Sequence, residues 1–166
     1  MILGALILST VTSEPAGYER LTGEYRGPMF FYDLTEKANK SFDIDLKIIG
    51  DPQSSTWTVK YHFARPRYQL EFHTGTADST GTQWIEQSSK EKISFKLTNW
   101  KDFSENKSTW FEIERPMISE RGAHNFRRRF TIKDNGDLWS EKWIQFKGKE
   151  WEFSHRMELK RIGKPK

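Results

Sequence analysis

Residues 150–161, EWEFSHRMELKR, set an imidazole in the middle of an apolar series. Strand alternation puts Trp151, Phe153, Met157 and Leu159 on one face, and His155 falls on that face between them. An inward imidazole has three uses. It can be a neutral core group hydrogen-bonded to its neighbours. It can contact a ligand in the interior, axial ligation of haem iron included. It can act as an acid–base group, for which the pattern supplies no partner carboxylate. The other histidines fall elsewhere: His62 and His73 on polar faces, His124 in a Gly-Ala-His-Asn turn.

Arg128 is the second unusual residue, because Phe126, Phe130 and Ile132 share its parity. A buried guanidinium needs an acceptor, from a protein carboxylate or from a ligand. A register slip of one residue would instead leave it at the rim. Arg127, Arg128 and Arg129 form a basic cluster with Arg121 and Lys133, and Lys160, Arg161, Lys164 and Lys166 form another. Single-strand nucleic-acid binders interleave such cations with aromatics. Here acidic residues are spread throughout, so a nucleic-acid partner is not expected.

The elements that must hold these residues are strands. Period-two alternation recurs in SFDIDLKIIG, STWTVKYHF, RYQLEFH, KISFKLTNW and HNFRRRFTIK. DLWSEKWIQF is strand-like with broken alternation, the mark of a bulge or of burial on both sides. Asn135-Gly136 is a strong hairpin dipeptide, and Lys147-Gly148-Lys149 closes the next turn. About ten strands at regular spacing, each with one apolar face, predict an all-β fold. The expected form is an antiparallel up-and-down β-barrel of about 8–10 strands, with a two-sheet sandwich as the alternative. The segment from Gly27 to Ser41, with Met29, Phe30, Phe31 and Tyr32, breaks the rhythm. It reads as an extra strand with a loop, or as a lid over one barrel mouth.

The chain has 166 residues, 7 Trp, 12 Phe, no Cys and a formal net charge of +4. That length suits one domain, read here as residues 17–163, with a basic tail at 164–166. Without cysteine there are no disulfides, thiolate nucleophiles or Cys-ligated metals. Residues 1–16 read as a degenerate signal peptide or an N-terminal extension packed on the domain. Their apolar run is too short to span a bilayer, and no other segment reads as transmembrane. Localisation stays open between export and cytoplasm. No phosphate-binding loop, dinucleotide fingerprint, zinc-protease motif or nucleophile elbow is present.

Gly23-Glu24-Tyr25, followed by Arg26-Gly27, a long first loop, a run of hairpins and a last strand ending in Arg161, resembles the lipocalin-like, or calycin, barrels. The resemblance covers the architecture of Tyr18 to Ile162. It implies that Tyr25 stands where those barrels carry a tryptophan, packing under Arg161 to close the barrel. It also implies comparison with the haem-binding nitrobindin-like branch, for which GEYRG and His155 are present but a Tyr-Pro-Thr segment is not. An inward Arg128 is similar to the arginine with which fatty-acid barrels hold a carboxylate.

The expected function is therefore binding of a small apolar or amphipathic molecule inside the barrel. Trp57, Tyr61, Phe72, Phe95, Trp151 and Phe153 would supply walls, with His155 and Arg128 as polar contacts. Two other classes stand beside it: a fully packed structural or interaction barrel, and an enzyme using His155 in the cavity. Haem is the cofactor to test for.

Overall fold

The alternation in the sequence folds into a ring. A computed structural model describes residues 18–33, 36–51, 56–63, 71–78, 80–88 and 91–163, with the backbone alone at 18, 33, 51, 56–63 and 71–73. The possible signal segment, the basic tail, and the side chains of Trp57, Tyr61, His62, Phe72 and His73 lie outside the described residues. The described strands are β1 (Gly23–Asp33), β2 (Ala38–Asp51), β3 (Thr56–Phe63), β4 (Glu71–Ala77) and β5 (Gln83–Gln87). They continue as β6 (Lys92–Thr98), β7 (Trp110–Ser119), β8 (Gly122–Ile132), β9 (Leu138–Phe146) and β10 (Glu152–Gly163). Each pairs antiparallel with its sequence neighbours, and β1 also pairs with β10, so the meander closes as an up-and-down barrel. Closure removes both free edges, which a sandwich would retain. No helix among the described residues is long and apolar enough to cross a membrane.

The stretch after Gly27 is not a lid. β1 runs unbroken to Asp33, and β2 returns from Ala38, so Met29 to Tyr32 belong to a long hairpin. Met29 pairs with Met157 and packs against the core, whereas Phe30 and Tyr32 are exposed. The mixed apolar and aromatic composition that suggested a lid comes from an inner and an outer face, both apolar.

One end of the barrel is plugged. Two short helices, α1 (Tyr18–Leu21) and α2 (Trp100–Ser104), sit there. Leu21, Trp100 and Phe103 are buried and join Trp84 and Phe111 in one aromatic cluster. The Arg20 guanidinium latches the two helices by donating to the carbonyls of Phe103 and Ser108 while lying over the Phe103 ring. Phe111 stacks on Phe130 at 5.0 Å, and Ile113, Leu138, Met157 and Leu159 fill the layers beneath.

Two glycines allow this packing. A Cβ at Gly75 would lie 1.9 Å from the Trp84 ring, and one at Gly27 would lie 2.1 Å from the Glu158 carbonyl oxygen across the closing seam. The Gly27 obstruction is backbone, which has no rotamer by which to yield. Gly27→Ala should therefore open the β1–β10 seam and cost about 1–3 kcal/mol of stability. Urea unfolding checks this, and an unchanged midpoint would show that the seam can move.

Candidate functional site

The site begins with a bulge. In β10, Phe153 pairs with Trp143 and His155 pairs with Lys142, so Ser154 is an extra residue without an opposite number. One extra residue inverts the alternation on one side of it. His155, Met157 and Leu159 face inward, while Phe153 and Trp151 do not join them. Phe153 is 53% exposed, edge-on to Trp143 on the outer wall. Trp151 lies under the Arg127 guanidinium at 4.0 Å. The expectation that Trp151 and Phe153 line the interior is corrected on this ground.

The arginine run splits between the two faces of β8. Arg127 and Arg129 point outward, paired with Glu114 and Glu112 and stacked on Trp151 and Trp110. Arg128 points inward, opposite Ile113 on β7 and Lys142 on β9. The basic cluster is thus a neutralised outer wall plus a single inward cation.

Along one rung, Arg128, Lys142 and His155 stand on three adjacent strands. The Arg128 Nη2 donates to His155 Nε2 at 3.3 Å, and Ser154 Oγ lies 3.5 Å from His155 Nδ1. A guanidinium donor at Nε2 requires the tautomer with its proton on Nδ1. Burial, then the charges of Arg128 and Lys142, push the His155 pKa down to about 3. Burial, followed by Arg128, also holds the Lys142 ammonium below its ordinary value. One rung toward the mouth, Arg115 is opposite Phe126. Arg128 and Lys142 both approach the Phe126 ring, at 5.6 and 5.1 Å, and Arg115 lies 5.5 Å from the ring of Phe95. Phe95 and Phe126 are buried and in contact, at 5.8 Å between centroids. Of the expected wall residues with described side chains, Phe95 is the one packed beside the polar contacts.

Sequence reasoning missed Lys142 and Arg115. Lys142 lies in DLWSEKWIQF, where Trp139 and Trp143 face outward and suggest the wrong inner face. Arg115 follows Phe111 and Ile113 at the correct spacing, and that parity would have identified it. His124 is not in a turn: it lies in β8 opposite Met117 and Phe146. It borders a concavity of about 710 Å³ at the ends of β7, β8 and β9, where inward Arg115 and Met117 meet outward Pro116, Ile118, Asn125 and Gln145. That volume lies within the usual range for small-molecule sites.

At the opposite end of β10, Tyr25 and Arg161 are paired across the seam. The Arg161 Nη2 donates to the Tyr25 hydroxyl and to the Arg20 carbonyl, each at 2.7 Å, and the hydroxyl donates to Leu21 O at 2.8 Å. Asp137 Oδ1 accepts from the Arg161 amide, tying the β8–β9 turn to the same point.

The arrangement does not fit axial ligation of haem. The Nε2 lone pair of His155 is taken by a guanidinium, and two cations flank the ring. Among the described residues, the partners of His155 are Arg128, Lys142 and Ser154, and none is a carboxylate. No family model matches the chain, and no curated protein is significantly similar to it.

Two measurements follow. Above pH 6.5 His155 is neutral in both folded and unfolded chains and contributes no slope. Between pH 6.5 and about 3 the unfolded chain takes up a proton that the folded chain refuses. Stability therefore falls with falling pH, by up to about 1.4 kcal/mol per unit from this residue. Urea unfolding between pH 6.5 and 5 should show a steeper loss for the wild type than for His155→Gln, and equal slopes would refute the depressed pKa. Separately, Tyr25→Phe removes the acceptor of Arg161 and the donor to Leu21, which should cost about 1–3 kcal/mol at constant m-value.

Proposed function

We propose that the protein is a lipocalin-like binding protein for a small apolar or amphipathic molecule held in the open half of the barrel. The observation that carries this reading is the inward row of Arg128, Lys142 and His155 directly above a packed core. Buried cations are costly unless they meet counter-charge. None of the described ion pairs joins Arg115, Arg128 or Lys142 to a carboxylate, and the Arg128 Nε is buried without a partner. A site of this composition is suited to a molecule with an apolar body and a polar end. The concavity at the strand ends, whose inward lining residues are Arg115, Met117 and His124 and include no acid, supports the same reading.

The packed half favours the rival reading of a barrel without a ligand, since Phe111, Phe103, Ile113 and Leu138 leave no exposed surface in the plugged end. That packing continues one rung past Arg128 through Phe126 and Phe95, so the two readings divide over the space beyond them.

Native mass spectrometry after incubation with a mixed lipid extract tests the proposal. The expected result is excess mass of a few hundred daltons, roughly one drug- or lipid-sized molecule, lost on denaturation. A mass equal to the denatured mass under saturating extract would overturn the reading in favour of the packed barrel.

A further inference from the structure

Resting on that reading, we propose that Arg115, Arg128 and Lys142 form the site for a doubly charged phosphomonoester head group of an amphipathic ligand. Three features point to a dianion. Arg128 and Lys142 are directly opposed on neighbouring strands and both lean on Phe126, so their charges repel at close range with no described ion pair between them and a carboxylate. A monocarboxylate would compensate one of them and leave the other uncompensated. A phosphomonoester carries about −1.5 to −2 at neutral pH and three terminal oxygens, which matches two opposed cations with a third nearby.

The donors are also of the right kind. Arg128 has a planar fork, of which Nη2 is held by His155 while the buried Nε has no partner. A guanidinium fixed in this way meets a tetrahedral oxyanion through directed hydrogen bonds, whereas Lys142 supplies a point charge. Arg115 lies on the mouth side of the pair and also borders the concavity at the ends of these strands. His155 is the neutral acceptor that orients Arg128, a positioning residue.

The concavity agrees in charge. Its lining contains Arg115, Lys147 and His124, and no Asp or Glu. The nearby acids Glu112 and Glu114 are on the other face of β7, engaged by Arg129 and Arg127. The inward positions Arg115, Arg128 and Lys142 are thus cationic, while the outward Arg127 and Arg129 beside them are balanced.

Isothermal titration with dodecyl phosphate, dodecanoate and dodecanol, each below its micellar concentration, tests the proposal. Inorganic phosphate serves as the probe without a tail. Dodecyl phosphate should bind at least tenfold more tightly than dodecanoate. Arg128→Met and Lys142→Met should each abolish that preference. Both replacements exchange a half-buried, mutually repelling cation for a flexible apolar chain, so both variants should fold. Equal affinity for phosphate, carboxylate and alcohol would overturn the head-group assignment and leave the binding reading standing. Binding of inorganic phosphate as tight as that of dodecyl phosphate would overturn the amphipathic ligand in favour of a simple anion site. Absence of binding by every probe would overturn both proposals.

Discussion

The pairing of β1 with β10 is the constraint on which everything else in this barrel depends. A ten-strand meander left open would present two edges and a half-wetted apolar face. Closure converts that face into an interior and makes every inward parity count. The seam is made by close backbone approach at Gly27, by the Tyr25–Arg161 hydrogen bond, and by the Met29–Met157 contact within the ring. Burial raises the Tyr25 phenol above its ordinary pKa, with the neighbouring Arg161 charge acting in the opposite direction. The hydroxyl is therefore a neutral donor and acceptor, a hinge pin rather than half of an ion pair.

Below the seam the two halves of the barrel solve different problems. The plugged half uses size: indole and phenyl rings from β5, α2 and β7 interlock, and the Trp84 indole donates to Glu86. The open half uses charge, and holds its cations against aromatic faces. Stacking a guanidinium on a ring lowers the cost of keeping it dry without cancelling its charge. The same device appears outside, where Arg127 and Arg129 stack on Trp151 and Trp110, but there each also has a carboxylate. The difference between the two faces of β8 is that none of the described ion pairs gives Arg128 such a carboxylate on the inside.

Much of this architecture was legible from alternation alone. Ile44, Leu46 and Ile48 in β2, and Phe95 and Leu97 in β6, are buried at the positions where period two puts them. Arg128 and His155 face inward for the same reason. Failures came wherever one residue was inserted or where both faces were apolar. Ser154 shifts the frame, so Trp151 and Phe153 read as interior although they are not. In β9 the large tryptophans are outside and the small or charged residues, Ser140 and Lys142, are inside, which reverses the usual size cue. In β1 the aromatics alternate between core and solvent, and a strand looked like a lid. None of these is a failure of propensity. Each is a case in which the partner strand, absent from a linear reading, decides the face.

The division of the barrel near the rung of Arg128 also separates what holds the fold from what an occupant would touch. Side chains at the strand ends, such as His124 and Lys147, are not part of the core cluster that keeps the ring closed. A lineage could exchange them freely while the plugged half preserved the scaffold. On the proposed binding reading, selectivity would drift quickly in a protein of this design, and two barrels with interchangeable cores would recognise chemically unrelated guests.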